Sequence, residues 1–221
     1  GEAGMKGYLN GELKGQVDGM TVQFYEIGLG DLGRKEAYLD RQLKRWRTQW
    51  ENSKTRDLDA MEETYNLLIA AKPEQKYTGI VHGDYRLGNM LSTADGEIGA
   101  VLDWELCTLG DTLADVGYVM NNWAEPGEEI TRGGEPGPSA APGFPTREEF
   151  IDAYSRRTGH EVANVDYYRS FQYWRLAAIV EGVLSRYLKG VMGDDNTDTS
   201  LFKLRIDRLA ESALRLVRSL G

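Results

Sequence analysis

The chain has 221 residues, enough for one large or two small domains with a substantial apolar core. Its 26 Lys and Arg against 35 Asp and Glu leave a formal charge of −9, which disfavours nucleic acid or an anionic membrane as the main partner. The single Cys107 excludes an internal disulfide, no apolar run approaches the roughly 20 residues that span a bilayer, and no basic-then-apolar leader opens the chain, so the expectation is a soluble protein of the reducing cytoplasm.

Residues 1–34 are rich in glycine. Only 20–27 alternate enough for a strand, and the rest is expected to be loop or frayed terminus. No internal repeat is present. From Lys35 the pattern turns helical: Leu39, Leu43, Trp46 and Trp50 recur on one face, with Arg41, Lys44, Arg45 and Arg47 on the others. A second helix is expected over 57–71, with Leu58, Met61, Tyr65 and Leu68 inward and Pro73 just past its end.

The next stretch changes character. Apolar pairs Ile80-Val81, Met90-Leu91 and Val101-Leu102 bracket a polar loop carrying His82, Asp84 and Asn89, with Asp103 beyond it. Short buried strands deliver polar groups to an edge in this way. Ser92 to Gly96, with Asp95-Gly96 at its tip, is expected to turn 89–91 onto 98–102 as a small hairpin. Asn89 and Asp103, 14 positions apart, would then lie together at its outer ends. Asp84 is suited to take a proton from a hydroxyl, while Asn89 and Asp103 offer a neutral and an anionic oxygen. Mg²⁺ accepts few protein oxygens and completes its shell with water and phosphate, so the set suits a nucleotide–metal complex and phosphoryl transfer.

Further on, a helix is expected from 111 or 113 to 123, and 125–145, rich in Pro, Gly and acids, reads as a long surface loop. Thr146 to Glu149 has the form of a capping box opening a helix that ends at Gly159. Val165 to Leu188 is a long aromatic-rich helix apolar on more than one side. Asp194, Asp195 and Asp198 lack the spacing and glycine of a calcium loop and read as solvated linker and N-cap. A last helix is expected over 201–220, with Ile206, Leu209, Ala213 and Leu216 on one face. Cys107 reads as a small buried apolar residue.

His82-Gly83-Asp84-x-x-x-x-Asn89 followed by Asp103-Trp104-Glu105 resembles the catalytic core of the aminoglycoside phosphotransferase family, whose fold is similar to that of the protein kinases. The wider runs 81–87 and 101–115 are similar to the branch fused to acyl-CoA dehydrogenases. The resemblance implies an α+β, mainly α, C-terminal lobe with a small β-hairpin at the active site. It implies Asp84 as catalytic base, Asn89 and Asp103 as Mg²⁺ ligands, His82 as a support under the loop, and Asp115 as an acid that holds the loop backbone from the following helix. Asp115 as a helix cap without chemistry is the competing reading. Arg86 and Glu105 either face substrate or pair with a neighbour.

An intact member carries a β-rich nucleotide lobe before the site, with a strand lysine that holds the phosphates. The 34 residues before the first helix are too few for it, and Lys6, Lys14 and Lys35 lie in no such strand. The expected division is therefore a glycine-rich segment 1–34, a remnant or linker, and a helical catalytic lobe 35–221. The missing lobe would belong to a longer protein or a second chain, unless this is a shortened natural relative. Three functions compete: a small-molecule O-phosphotransferase using Mg²⁺ with ATP or GTP; a non-catalytic binding module on the same fold; and a metal-dependent phosphoesterase built on His82, Asp84, Asn89 and Asp103. Members act on aminoglycosides, choline, sugars or other hydroxyl compounds, and the dehydrogenase-fused branch favours a metabolic hydroxyl over an antibiotic.

Overall fold

Helix α5, Val165–Leu188, is the axis of the molecule, and its sequence explains why. Tyr167, Tyr168, Phe171, Trp174, Ala177, Ala178, Val180 and Leu184 are all buried and do not share one face. A helix apolar around its girth has to be surrounded. The computed structural model, which describes residues 5–9, 12–17, 33–128, 137–192 and 197–221, packs it against α1 (Tyr38–Ser53), α2 (Asp59–Ala70), α3 (Leu113–Asn122) and α6 (Thr199–Arg218). Its buried polar tips find backbone partners: Tyr167 Oη donates to Leu68 O at 3.0 Å, Trp174 Nε1 to Met61 O at 3.1 Å and Ser170 Oγ to Ala213 O at 2.7 Å. These bonds tie α5 to α2 and α6, although Thr64 Oγ1 on α2 and Arg175 Nε on α5 are buried without a hydrogen-bond partner among the described residues.

Helix α4, Arg147–Thr158, begins as its sequence predicts, with Glu149 N donating to Thr146 Oγ1 and Thr146 N to Glu149 Oε2, and it ends at Gly159 in the left-handed region. Asp198 caps α6 by accepting from Ser200 N at 2.9 Å. Asp194 and Asp195 lie outside the described residues. Residues 137–145, expected as free surface loop, are pinned to the end of α3: Ala124 N donates to Ser139 Oγ, Ser139 Oγ donates to Ala124 O, and Trp123 Nε1 donates to Pro145 O.

The strands form three separate antiparallel pairs. β1 (Met5–Leu9) pairs with β2 (Glu12–Val17), which corrects the expectation of loop or frayed terminus over this stretch. Glycine frequency hid the pairing, although Asn10-Gly11 between the two runs is a strong sequence signal for one. The strand expected at 20–27 lies outside the described residues. β3 (Gly79–Val81) pairs with β6 (Thr108–Gly110), and β4 (Met90–Ser92) with β5 (Ile98–Val101). Strand β6 had no sequence signal of its own. It exists because β3 needs a partner, and Gly110 allows the approach: a Cβ there would sit 2.1 Å from the buried Tyr38 ring. Among the described residues no helix is long and apolar enough to cross a membrane.

Candidate active site

Topology brings the polar segments together. Val81 faces Thr108 across the β3–β6 pair, and Met90 faces Val101 across the β4–β5 pair. Segments 82–89 and 102–107 therefore run side by side between the two pairs. Leu102 N donates to Asn89 O at 2.8 Å, so Asn89 and Asp103 sit at the same end of the hairpin.

His82 is buried and joins the two segments. Its Nδ1 accepts from Asp84 N at 3.2 Å, which requires the ring hydrogen on Nε2, and Nε2 donates to Leu102 O at 2.8 Å. The Trp104 ring lies 4.7 Å from the imidazole, with its Nε1 donating to Val101 O. Asp115, in the first turn of α3, accepts from His82 N at 2.6 Å and Gly83 N at 2.9 Å. Burial raises its carboxyl above the ordinary value, and the two N–H groups pull it back part of the way. Gly83 itself has φ 86°, in the left-handed region, and a Cβ there would meet Leu106 at 3.2 Å.

Asp84, with 19% of its side chain exposed, is braced on both oxygens. The Tyr118 hydroxyl donates to Oδ1, Asn89 Nδ2 donates to Oδ2 at 2.7 Å, and Arg86 Nε lies 3.2 Å from Oδ2 and 3.4 Å from Oδ1. Burial pushes this carboxyl up, but the Tyr118 and Asn89 hydrogen bonds and the Arg86 charge outweigh it and hold the group below the usual carboxylate range. Asp84 is thus ionised at neutral pH and able to accept a proton. With its nitrogen spent on the Asp84 carboxylate and backbone oxygen, Asn89 has its amide oxygen to offer a cation.

Asp103 is exposed and takes a left-handed conformation, φ 67° and ψ 53°, uncommon for a residue with a side chain. Among the described residues its carboxylate has no hydrogen-bond or ion-pair partner. Asp is among the side chains that tolerate this region, and Ala37 and Asn164 also occupy it. Of the two ambiguous residues, Arg86 pairs with Asp84, and Glu105 is exposed. Cys107 is half-buried rather than buried, at the entry to β6.

Two contributors escape a sequence reading. Tyr118 lies one helical turn after Asp115, a spacing that puts both on one face of α3 and could have flagged it. Arg175, on α5, donates to Gly83 O at 2.8 Å; nothing in the sequence separates it from the other charged residues of that helix, Asp166, Arg169, Glu181 and Arg186. Among the described residues no group of three His, Cys, Asp or Glu could hold a metal by itself. His160, the second histidine, stacks on Tyr77 at 3.8 Å, next to Tyr154.

Residues 21–169 match the phosphotransferase enzyme family, known as APH. The chain belongs to this family. It is 36% identical over 173 residues to acyl-CoA dehydrogenase family member 10 of Mus musculus, covering 77% of this chain and 16% of that protein. It is 30% identical over 206 residues to acyl-CoA dehydrogenase family member 11 of Homo sapiens, covering 90% and 25%. A crystal structure from Ralstonia eutropha JMP134, of a protein provisionally named an aminoglycoside phosphotransferase, superimposes with a TM-score of 0.78 at 32% identity, covering 90% of this chain and 61% of that one. The chain therefore spans a sixth to a quarter of these curated relatives and about three-fifths of the solved structure. Its fold is that of a kinase-like phosphotransferase, mainly helical with small antiparallel sheets.

Proposed function

We propose that the protein transfers the γ-phosphoryl group of ATP or GTP to a hydroxyl of a small molecule, with Asp84 as base and Asn89 and Asp103 as ligands of Mg²⁺. The observation that supports this reading is the braced Asp84 carboxylate, bonded to Asn89 Nδ2, with Asn89 and Asp103 at the same end of the hairpin. A neutral and an anionic oxygen fit an ion that takes the rest of its shell from phosphates and water. Bound Mg²⁺ would neutralise charge on the terminal phosphates.

The chain's own residues do the rest. Three donors, Tyr118, Asn89 and Arg86, hold the carboxylate, and an acceptor hydroxyl would bond to it in place of the long, shared Arg86 contacts. As the acceptor oxygen bonds to γ-phosphorus and the bond to the bridging oxygen breaks, the hydroxyl proton passes to Asp84 and a nucleoside diphosphate leaves. Positioning supplies most of the rate in this chemistry, which is why a carboxylate fixed by three donors suits it. The charge of −9 disfavours nucleic acid as the acceptor.

The test is calorimetric titration of the full-length protein with ATP and GTP, with and without Mg²⁺, beside phosphate transfer to a panel of hydroxyl compounds. The reading expects Mg²⁺-dependent nucleotide binding that Asp103→Asn weakens at least about tenfold, with transfer to some acceptor. Absence of nucleotide binding would favour a non-catalytic module and overturn the proposal. Nucleotide-independent release of phosphate from phosphoesters would overturn it too.

A further inference from the structure

The peptide unit joining Gly83 to Asp84 sets the Cα–Cβ direction of Asp84, and so where its carboxylate stands. Both polar atoms of that unit are held. Asp84 N donates to the His82 ring at 3.2 Å, and Gly83 O accepts from Arg175 Nη2 at 2.8 Å. The second hold comes from 92 residues away, on α5. Arg175 is 7% exposed. Its Nη1 donates to Gln172 Oε1 at 2.8 Å, and Gln172 Nε2 donates in turn to Ala114 O on α3 at 2.8 Å. The guanidinium also lies 5.8 Å from the centre of the Tyr118 ring, whose hydroxyl holds Asp84 Oδ1, and 5.4 Å from the Trp46 ring.

A cation this buried needs compensation, and the core around α5 could have been filled by an apolar side chain instead. The oxygens Arg175 binds directly belong to a backbone carbonyl and an amide, while its charge also favours the buried Asp115 carboxylate that holds the same loop. Arg175 Nη2 meets the carbonyl that precedes Asp84, through a charge-assisted bond stronger than a neutral one. Asp115 holds the neighbouring peptide from the N–H side, at Gly83 N. The loop is therefore clamped between α3 and α5.

We propose that Arg175 is the positioning residue of the catalytic loop: it fixes the Gly83–Asp84 peptide through its carbonyl and backs Tyr118, so that the Asp84 carboxylate keeps one direction. This deepens the phosphoryl-transfer reading and rests on it for the role of Asp84. Misplacing a reacting group by 1 Å costs about 10²-fold in rate, so a clamp on this peptide acts on turnover more than on nucleotide affinity.

The experiment uses the full-length protein with Arg175→Met, which keeps the stem and removes the fork, Arg175→Lys, which keeps the charge, and Gln172→Leu, which removes the brace. Amide hydrogen exchange at Gly83 and Asp84 is read for each, together with kcat and KM in the transfer assay. Expected for Arg175→Met is at least about tenfold faster exchange at these two amides with α6 amides unchanged, and kcat lower by about 10–10²-fold with nucleotide KM within about threefold. Arg175→Lys recovers most of both, and Gln172→Leu gives a smaller loss of the same pattern. Unchanged exchange and kcat in the folded Met variant would overturn the proposal. A uniform loss of protection across α5 and α6 would overturn it as well, since it would make Arg175 a general core residue. If Arg175→Met does not fold, the Lys and Leu variants decide by the same two readouts. Should the wild-type protein transfer phosphate to no acceptor, the functional reading fails while the exchange measurement still decides whether Arg175 holds the loop.

Discussion

Gly117 sits where α3 crosses α5, and replacing it with alanine links packing to the site. A Cβ at this position would lie 2.5 Å from Tyr168 Cβ, 2.7 Å from Tyr168 C and 3.0 Å from Arg169 N. These are rigid atoms close to or in the α5 backbone, so no rotamer change can relieve the contact and the helices must separate by about 1 Å. Overpacking of this kind costs about 3 kcal/mol, and the better helix propensity of alanine returns about 1, leaving a loss of about 2 kcal/mol. For a chain of this size that is a fall of about 4–8 °C in Tm. Gly182, on α5, is the control, because its Cβ would meet the flexible end of the Gln49 side chain at 2.9 Å and otherwise Ser53 Oγ at an ordinary 3.9 Å. Differential scanning calorimetry of the two variants should show Gly117→Ala destabilised and Gly182→Ala within about 1 kcal/mol of wild type. Since Gly117 lies between Asp115 and Tyr118, its variant should also lose transfer activity at temperatures where it stays folded. Equal Tm values for Gly117→Ala and wild type would refute the packing argument.

Other outcomes follow from individual contacts. Thr146→Ala removes one side of the capping box on α4 and should cost about 1 kcal/mol in urea denaturation, with the midpoint lower and the slope unchanged. Burial holds His160 below the ordinary histidine value of 6.5, so the unfolded chain binds that proton more tightly. Its contribution to stability is present above 6.5 and is lost as pH falls from there through the lower folded value. Urea midpoints across that range should therefore fall more steeply for wild type than for His160→Gln; parallel curves would contradict this. Tyr118→Phe removes a hydrogen bond that helps keep Asp84 below its ordinary value against the effect of burial, so the acid limb of the kcat/KM profile should move to higher pH. An unmoved limb would separate Tyr118 from the base.

Local rules made much of the chain legible. The bounds of α5 follow from its apolar pattern, the start and end of α4 from Thr146, Glu149 and Gly159, and the β4–β5 hairpin from Asp95-Gly96. The juxtaposition of Asn89 and Asp103 followed from that hairpin alone. What stayed hidden depends on distant partners. Thr108–Gly110 becomes a strand only because β3 lies beside it, and Arg175 looks like an ordinary helix residue until the fold brings Gly83 O to its guanidinium. Tyr118 falls between these cases, since its helical spacing from Asp115 was readable but its contact with Asp84 was not. In the first 34 residues, counting glycines obscured the paired strands at 5–9 and 12–17.

The most direct test of the account is transfer of labelled γ-phosphate by the full-length protein to hydroxyl compounds, wild type against Asp84→Asn. The substitution keeps the shape of the side chain and leaves an oxygen for the Tyr118 hydroxyl, but removes the proton acceptor and turns an NH2 toward the Asn89 Nδ2 and Arg86 Nε donors, so some loss of Tm is expected. A positioned base contributes about 10²–10⁴-fold, so kcat of the folded protein should fall by at least that factor while Mg²⁺–nucleotide affinity changes far less. Near-normal turnover in a folded Asp84→Asn protein would contradict the assignment of Asp84 as the base.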